Sequence, residues 1–151
     1  MNLKAVLKQL KFGQVIPPQI KNNGALAGNT YFDTLGLSAV LFLLEIGATD
    51  VVIGSTDTST PLFLEECDTS GGNYTKVADS ELAAVIADNG DSKLRAVAVD
   101  LTKTHKRFIR WNAPTAGNST GANLSSIAIG FPSDVLPSSA AQQGLEELVE
   151  A

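Results

Sequence analysis

The sequence Leu37-Ser-Ala-Val-Leu-Phe-Leu-Leu-Glu-Ile-Gly47 is the longest apolar run in this chain, and glycines stand at both of its ends, Gly36 and Gly47. In a strand, successive side chains point to opposite faces, and both faces of this run are apolar. The run is short for a helix, and turn residues flank it. It therefore predicts a strand that is buried on both faces, at the centre of a mostly β domain.

Further short segments of strand character lie before and after this run, with turn signals between them. They are residues 29–34, 62–67, 74–77, 94–101, 107–111 and 124–131. Roughly seven short strands with turn-rich connections are typical of an all-β fold, an antiparallel β-sandwich or barrel. Residues 62–77 are expected to form a hairpin around a turn at 68–73. A short helix is expected over residues 81–87, before Asn89-Gly90.

Residues 1–28 are predicted to be an extended arm ahead of the domain. Pro17-Pro18 favours an extended backbone, and the stretch that follows is rich in turn residues. The first eleven residues form an amphipathic segment that is too short to be a stable helix alone, so it would become ordered only by docking. Its apolar positions are Leu3, Val6, Leu7 and Leu10, and its basic positions are Lys4, Lys8 and Lys11.

Residues 132–151 are predicted to be a C-terminal arm, which leaves residues 29–131 as the β domain. Ser139 to Gln142 has the spacing of a capping box, and Leu145 and Leu148 would share one face of the short helix that it opens. The last 18 residues contain four acidic residues and no Lys or Arg, whereas four lysines precede the first acidic residue. Oppositely charged ends indicate two arms that contact other surfaces or each other; two solvated tails are the alternative.

Length and composition limit the function classes. A chain of 151 residues is expected to form one domain. The net charge of −5 argues against general nucleic-acid binding. The lysines near the start interrupt any signal-peptide core, and the central run is far shorter than the ~20 residues of a membrane span. We expect a protein made in the cytoplasm, with no membrane or nucleic-acid partner.

The side chains that could support catalysis are few. Cys67 is the only cysteine and His105 the only histidine, which excludes an internal disulfide and makes a zinc site improbable. Cys67 lies in a predicted strand and His105 in a predicted turn, and no sequence pattern brings them together as a nucleophile and its base. Asp68-Thr-Ser-Gly71 is similar to the aspartic-protease tripeptide, but a hairpin turn explains it more simply. We expect no enzyme activity and no cofactor.

One basic cluster lies inside the domain, around the turn at residues 102–106. Docking on an acidic protein surface is one interpretation. The other is a solvated turn whose arginines are neutralised by Asp100 and neighbouring acidic residues. The cluster consists of Lys103, Lys106, Arg107 and Arg110, beside His105.

Four short sequences follow one another between about residues 30 and 131. They are Phe32-Asp-Thr-Leu-Gly36, Ile46-Gly-Ala-Thr-Asp50, the hairpin Phe63-Leu-Glu-Glu-Cys-Asp68 with Gly72-Asn-Tyr-Thr-Lys-Val77, and Lys106-Arg-Phe-Ile-Arg110. Together, and in this order, they resemble small proteins encoded beside the major capsid protein of tailed bacteriophages.

The resemblance implies a head decoration, or cement, protein on the outer surface of the virion. Such a protein is a jelly-roll-like β-sandwich that binds the assembled major capsid protein and stabilises the head, here as a dimer or trimer. The predicted contacts with the capsid or a sister subunit are the seven arm residues named above, the basic cluster, Leu145 and Leu148. A carbohydrate-binding β-sandwich module on a virion surface is the alternative, and it would need an exposed aromatic platform.

Overall fold

The fold is taken from a computed structural model, which describes residues 9–21, 30–55, 59–112, 115–116, 121–133, 141 and 144–146. These residues contain ten β-strands and no helix. The strands are β1 (Lys11–Lys21), β2 (Phe32–Asp33), β3 (Leu37–Thr49), β4 (Ile53–Gly54), β5 (Leu64–Cys67), β6 (Thr75–Lys76), β7 (Lys93–Asp100), β8 (Phe108–Trp111), β9 (Thr115–Ala116) and β10 (Ala122–Pro132).

Eight of the strands form two antiparallel sheets of four strands each. Sheet A has the order β1-β10-β3-β7, sheet B has the order β2-β8-β5-β6, and the short strands β4 and β9 pair separately. The pairing is nested: β1 pairs with β10, β2 with β8, β3 with β7 and β5 with β6. The prediction of an all-β antiparallel fold is confirmed, as is the hairpin that becomes β5 and β6.

The two sheets pack against each other around one hydrophobic core. The ring of Phe42 on β3 lies 6.4 Å from that of Trp111 on β8 and 6.2 Å from that of Phe32 on β2, centroid to centroid. Ile109 and Leu64 of sheet B are fully buried in the same cluster. The arrangement is sandwich-like, because each sheet contributes one apolar face to a shared interior.

The central apolar run forms β3, as predicted, but only one of its faces is buried. Val40, Phe42, Leu44 and Ile46 point into the core and are at most 1% exposed. Leu41 and Leu43 alternate with them and are only partly buried. The prediction of burial on both faces is therefore wrong, because sheet B packs against one side of sheet A only.

The predicted N-terminal arm is wrong over residues 11–21, which form β1 at one edge of sheet A. Val15 and Ile16 on this strand are fully buried in the core. The register with β10 shifts between Ile16 and Gln19, at the two prolines. An edge strand tolerates proline, since the amide that proline lacks has no neighbour to bond on the open side. The domain therefore begins at β1 and not at residue 29.

The helix predicted over residues 81–87 is also wrong. Ile86 is fully buried, and it exchanges two backbone hydrogen bonds with Ile53, of 2.9 and 3.0 Å. The Leu82 amide donates to the Leu62 carbonyl at 2.8 Å. The backbone of this segment therefore makes hydrogen bonds to residues near Ile53 and Leu62, and not the bonds of a helix. The described part of the predicted C-terminal helix, residues 141 and 144–146, is not helical, and its remaining residues lie outside the described ones.

Candidate functional site

The face of sheet A that points away from sheet B carries rows of apolar side chains. Leu43 stands between Ile127 on β10 and Ala96 on β7, and the next row joins Leu41 to neighbours on the same two strands. Cross-strand neighbours on one face lie close enough to form a continuous surface. We call this surface the sheet A outer face. Its apolar residues are Phe12, Ala39, Leu41, Leu43, Leu94, Ala96, Ala98, Ile127, Ile129 and Phe131.

The sheet A outer face is open to solvent. Leu94 is 65% exposed, Ile127 44% and Phe131 41%. Outward positions of a two-layer β fold are ordinarily polar, and large contiguous apolar patches mark interaction sites. A shallow depression of about 100 Å³ opens on this face between Leu43, Leu94 and Ile127. A wider one of about 400 Å³ lies further along the same face, beside Ile20.

Two acidic side chains supply the charge of this face. Among the described residues, the outward positions of its strands carry Glu45 and Asp100 and no Lys or Arg. Glu45 accepts a 3.1 Å hydrogen bond from the Ser125 hydroxyl. Asp100 accepts hydrogen bonds from the hydroxyl and amide of Thr102, which hold the pKa of Asp100 below its usual value. The surface is apolar with a weakly acidic margin.

The sheet edges are poorly suited to binding another strand. At the β7 edge, Lys93 and Arg95 occupy core-side positions opposite Ile46 and Leu44, and inward-pointing charges at an edge oppose pairing. The β1 edge carries the two prolines and the register shifts. The outer strands of sheet B, β2 and β6, are two residues long. The outer face of sheet A, and not an edge, is therefore the surface most suited to a partner.

The two arginines of the basic cluster make hydrogen bonds to acidic residues of the same chain, on sheet B. Arg107 makes two 2.8 Å hydrogen bonds to the two carboxylate oxygens of Asp33, and these hold the pKa of Asp33 below its usual value. Arg110 donates a 2.6 Å hydrogen bond to Glu65 and lies 3.8 Å from the centre of the Tyr74 ring. The interpretation of neutralised arginines agrees with this geometry, although Asp33 and Glu65 do the neutralising and not Asp100.

The remaining members of the cluster also have partners nearby. The Lys106 ammonium donates to the Thr75 hydroxyl at 2.9 Å. The Lys106 amide and the His105 Nδ1 atom both contact one carboxylate oxygen of Glu66, at 3.1 and 2.9 Å. Lys103 is exposed in the turn after β7. The structure thus brings Lys106, His105 and the two arginines together with acidic partners that sequence analysis did not assign to them.

Cys67 and His105 contact different residues. The Cys67 thiol is buried and lies 3.9 Å from the Thr69 hydroxyl, whereas His105 contacts Glu66. Within the described residues, no group of three or more His, Cys, Asp or Glu side chains is placed to hold a metal ion. No helix in that part of the chain is long and apolar enough to cross a membrane.

The predicted contact residues at the two ends are only partly described. Leu10 is half-buried just before β1. Lys11 donates a 2.7 Å hydrogen bond to the Asp33 carbonyl, so its side chain is used within the domain. Leu145 is half-buried beside Gly144, where an added Cβ atom would overlap the Phe12 carbonyl group. The other predicted end contacts lie outside the described residues: Leu3, Lys4, Val6, Leu7, Lys8 and Leu148.

Comparison with known proteins adds no relative. No protein-family model and no curated protein sequence matches the chain. The functional inference therefore depends on the surface described above and on the resemblance of the four short sequences.

Proposed function

We propose that this chain is a structural virion protein, a decoration or cement protein that binds the assembled major capsid protein and stabilises the phage head from outside. The observation that carries the proposal is the sheet A outer face, a broad apolar surface on a rigid sheet. A partner that covers it removes Leu43, Ile127 and their neighbours from water, which stabilises the complex. The ordered resemblance over residues 30–131 supports the major capsid protein as the partner.

We infer a jelly-roll-like topology within the β fold. Jelly rolls contain eight strands in two sheets, built from two Greek keys. The nested pairing described above supports the inference, because the first strand pairs with the last and each later strand pairs progressively further inward. Such a fold places its first and last strands side by side in one sheet, as β1 and β10 are here.

The energetics are compatible with attachment to a capsid. Full burial of a Leu, Ile or Phe side chain contributes about 1.5–3 kcal/mol, and several such side chains line this face. Association and side-chain ordering oppose binding by a comparable sum, so a single copy would bind moderately. A dimer or trimer that engages several capsid subunits at once would gain affinity through avidity. No reacting group is required of such a protein.

The aromatic residues favour a protein partner over a sugar. Trp111, the only tryptophan, is fully buried, and so unable to form a platform for a glycan. The Tyr31 ring packs edge-on against Phe108, with centroids 4.9 Å apart, and Tyr74 is stacked on Arg110. A carbohydrate-binding module normally presents open aromatic faces, so this alternative has less support.

Sedimentation with empty shells tests the proposed function. The shells are assembled from the major capsid protein that the resemblance implies is encoded beside this gene, and purified protein is added at increasing concentration. We expect it to co-sediment and to saturate at a fixed ratio to capsid subunits, and that ratio identifies the symmetry axis. Protein that stays in the supernatant at micromolar concentration, with shells in excess, would contradict the proposal. A glycan array then tests the alternative.

A further inference from the structure

The sheet A outer face has a candidate occupant in this chain itself. The amphipathic N-terminal segment leads directly into β1, which is the edge strand of that same sheet. Phe12, the second residue of β1, already belongs to the outer face. We propose that residues 1–8 bind the sheet A outer face of their own chain in the free protein. This inference concerns the free chain, so it stands whether or not the partner is a capsid.

The segment is long enough to reach the middle of the face. Neighbouring strands lie about 4.8 Å apart, so β3 is about 10 Å from β1 across β10. The seven residue steps from Leu10 back to Leu3 extend about 10 Å as a helix and about 23 Å as a strand. Leu10 is level with Ala39, so Leu41 and Leu43 lie two and four positions further along the sheet as well as two strands away. Only an extended segment is therefore long enough to place Leu3 over them.

The segment and the face are complementary in polarity and in charge. In an extended segment Leu3, Ala5 and Leu7 share one face, and this apolar face matches the apolar rows centred on β3. The segment carries Lys4 and Lys8 and no acidic residue. The face carries Glu45 and Asp100 and, among its described outward strand positions, no cation; Asp100 has Lys103 of the adjoining turn nearby, so Glu45 is the carboxylate open to a lysine of the segment. Opposite charges at the margin of an apolar contact favour this pairing and orient it.

Charge also distinguishes the two ends of the chain as occupants. The C-terminal end comes close to the edge strand of this sheet, since Gly144 lies against the backbone of Phe12 on β1. Residues 145–151 include three apolar side chains of similar size, but also three glutamates and no cation. Those glutamates would approach Glu45 and Asp100, and like charges oppose binding. The N-terminal segment is therefore the better match.

Paramagnetic relaxation in the free protein tests this contact. A nitroxide is attached to Asn2→Cys in ¹⁵N-labelled full-length protein; Cys67 is retained because its thiol is buried, and mock-labelled wild type controls for its reaction. We expect the amide signals of Leu43 and Ile127 to be broadened, and that of Thr75 on sheet B to be unchanged. In the matched variant Leu3→Ser/Val6→Ser/Leu7→Ser with the same label, the broadening should be lost.

Two results would overturn the proposal. One is the absence of selective broadening at Leu43 and Ile127 in the labelled wild-type segment. The other appears when spin-labelled ¹⁴N protein is mixed with ¹⁵N protein that carries no label: broadening of the same two amides would then mean that the segment binds a second copy. Because no shells are present, neither result depends on the sedimentation experiment.

Discussion

The indole N–H of Trp111 donates a 2.8 Å hydrogen bond to the Ser126 hydroxyl, and that hydroxyl donates in turn to the Leu43 carbonyl at 2.6 Å. Trp111 belongs to sheet B, whereas Ser126 and Leu43 belong to adjacent strands of sheet A. The two bonds join the sheets through the core. The second bond ends on the backbone of Leu43, whose side chain lies on the sheet A outer face. Leu43 is therefore held by the core through its backbone and forms part of the outer face through its side chain.

Removing the Ser126 hydroxyl should destabilise the fold. Ser126→Ala removes the hydroxyl that accepts from the buried Trp111 indole and donates to the Leu43 carbonyl, and the loss of these two hydrogen bonds should cost about 1–3 kcal/mol of unfolding free energy. Urea denaturation followed by the fluorescence of Trp111 measures it. The matched control is Ser125→Ala, whose hydroxyl points to the exposed Glu45 and should change stability by about 0.5 kcal/mol or less. Equal effects of the two substitutions would contradict the account.

Truncation should separate the N-terminal segment from β1. Deleting residues 1–8 should leave a cooperative thermal transition, because it removes no described core residue. Deleting residues 1–21 should abolish the transition, since it removes Val15 and Ile16 and leaves β10 unpaired on one side. Ile16→Ala in the full chain should cost about 2–5 kcal/mol. Circular dichroism melts measure all three, and a normal melt without β1 would show that the domain begins later.

Local patterns were enough to predict the strand character of the chain. The central run and the hairpin at residues 62–77 are specified by side-chain periodicity and by turn residues, which act between near neighbours in sequence. β1 was missed because two prolines interrupt it and because its partner, β10, lies about a hundred positions further along the chain. Nothing local marks such a pairing.

The proposed docking surface was harder to predict for the same reason. An apolar run such as residues 37–47 fits a strand buried on both sides, and equally a strand with one side open to a partner. Which applies depends on where sheet B packs, and that is a long-range property. Likewise, Arg107 and Arg110 find their acidic partners 74 and 45 positions away, so the neighbouring Asp100 was the wrong choice.

The pair formed by Arg110 and Glu65 should matter more for stability than an exposed pair. The Glu65 side chain is 10% exposed. Arg110→Ala would remove the charged partner of the Glu65 carboxylate and leave it the hydrogen bond from Asn112. We expect a loss of about 2–3 kcal/mol. Lys76→Ala breaks an exposed pair with Glu81, worth about 0–1 kcal/mol, and is the matched control. Urea unfolding of both variants measures the difference, and a smaller loss for Arg110→Ala would contradict the geometry.

The Asp33 carboxylate should make part of the stability dependent on pH. Its pKa is lowered from 3.8, mainly by the hydrogen bond from Arg107. A lowered pKa means that this contribution is present above pH 3.8 and is lost as the pH falls towards the folded-state value. The difference in unfolding free energy between wild type and Asp33→Asn should therefore be largest near pH 7 and shrink below pH 4.

Urea titrations at each pH test this prediction, with Asp33→Asn in the Arg107→Ala background as the control. There the difference should shrink much less on acidification, because the hydrogen bonds from Arg107 that lower the Asp33 pKa are absent. A difference between Asp33→Asn and wild type that stays constant, or grows, on acidification would mean that the ion pair with Arg107 does not contribute as described.

The most direct test of the central claim is shell binding by two matched variants. Ile127→Asp places a charge in the sheet A outer face, and Thr75→Asp places one at an exposed position on sheet B. Both should remain folded, because neither side chain is buried. If the outer face docks on the capsid, Ile127→Asp should weaken co-sedimentation with shells about tenfold or more, since one apolar contact is lost and a charge is desolvated. Thr75→Asp should bind as wild type does. Equal binding by wild type and Ile127→Asp would contradict the claim.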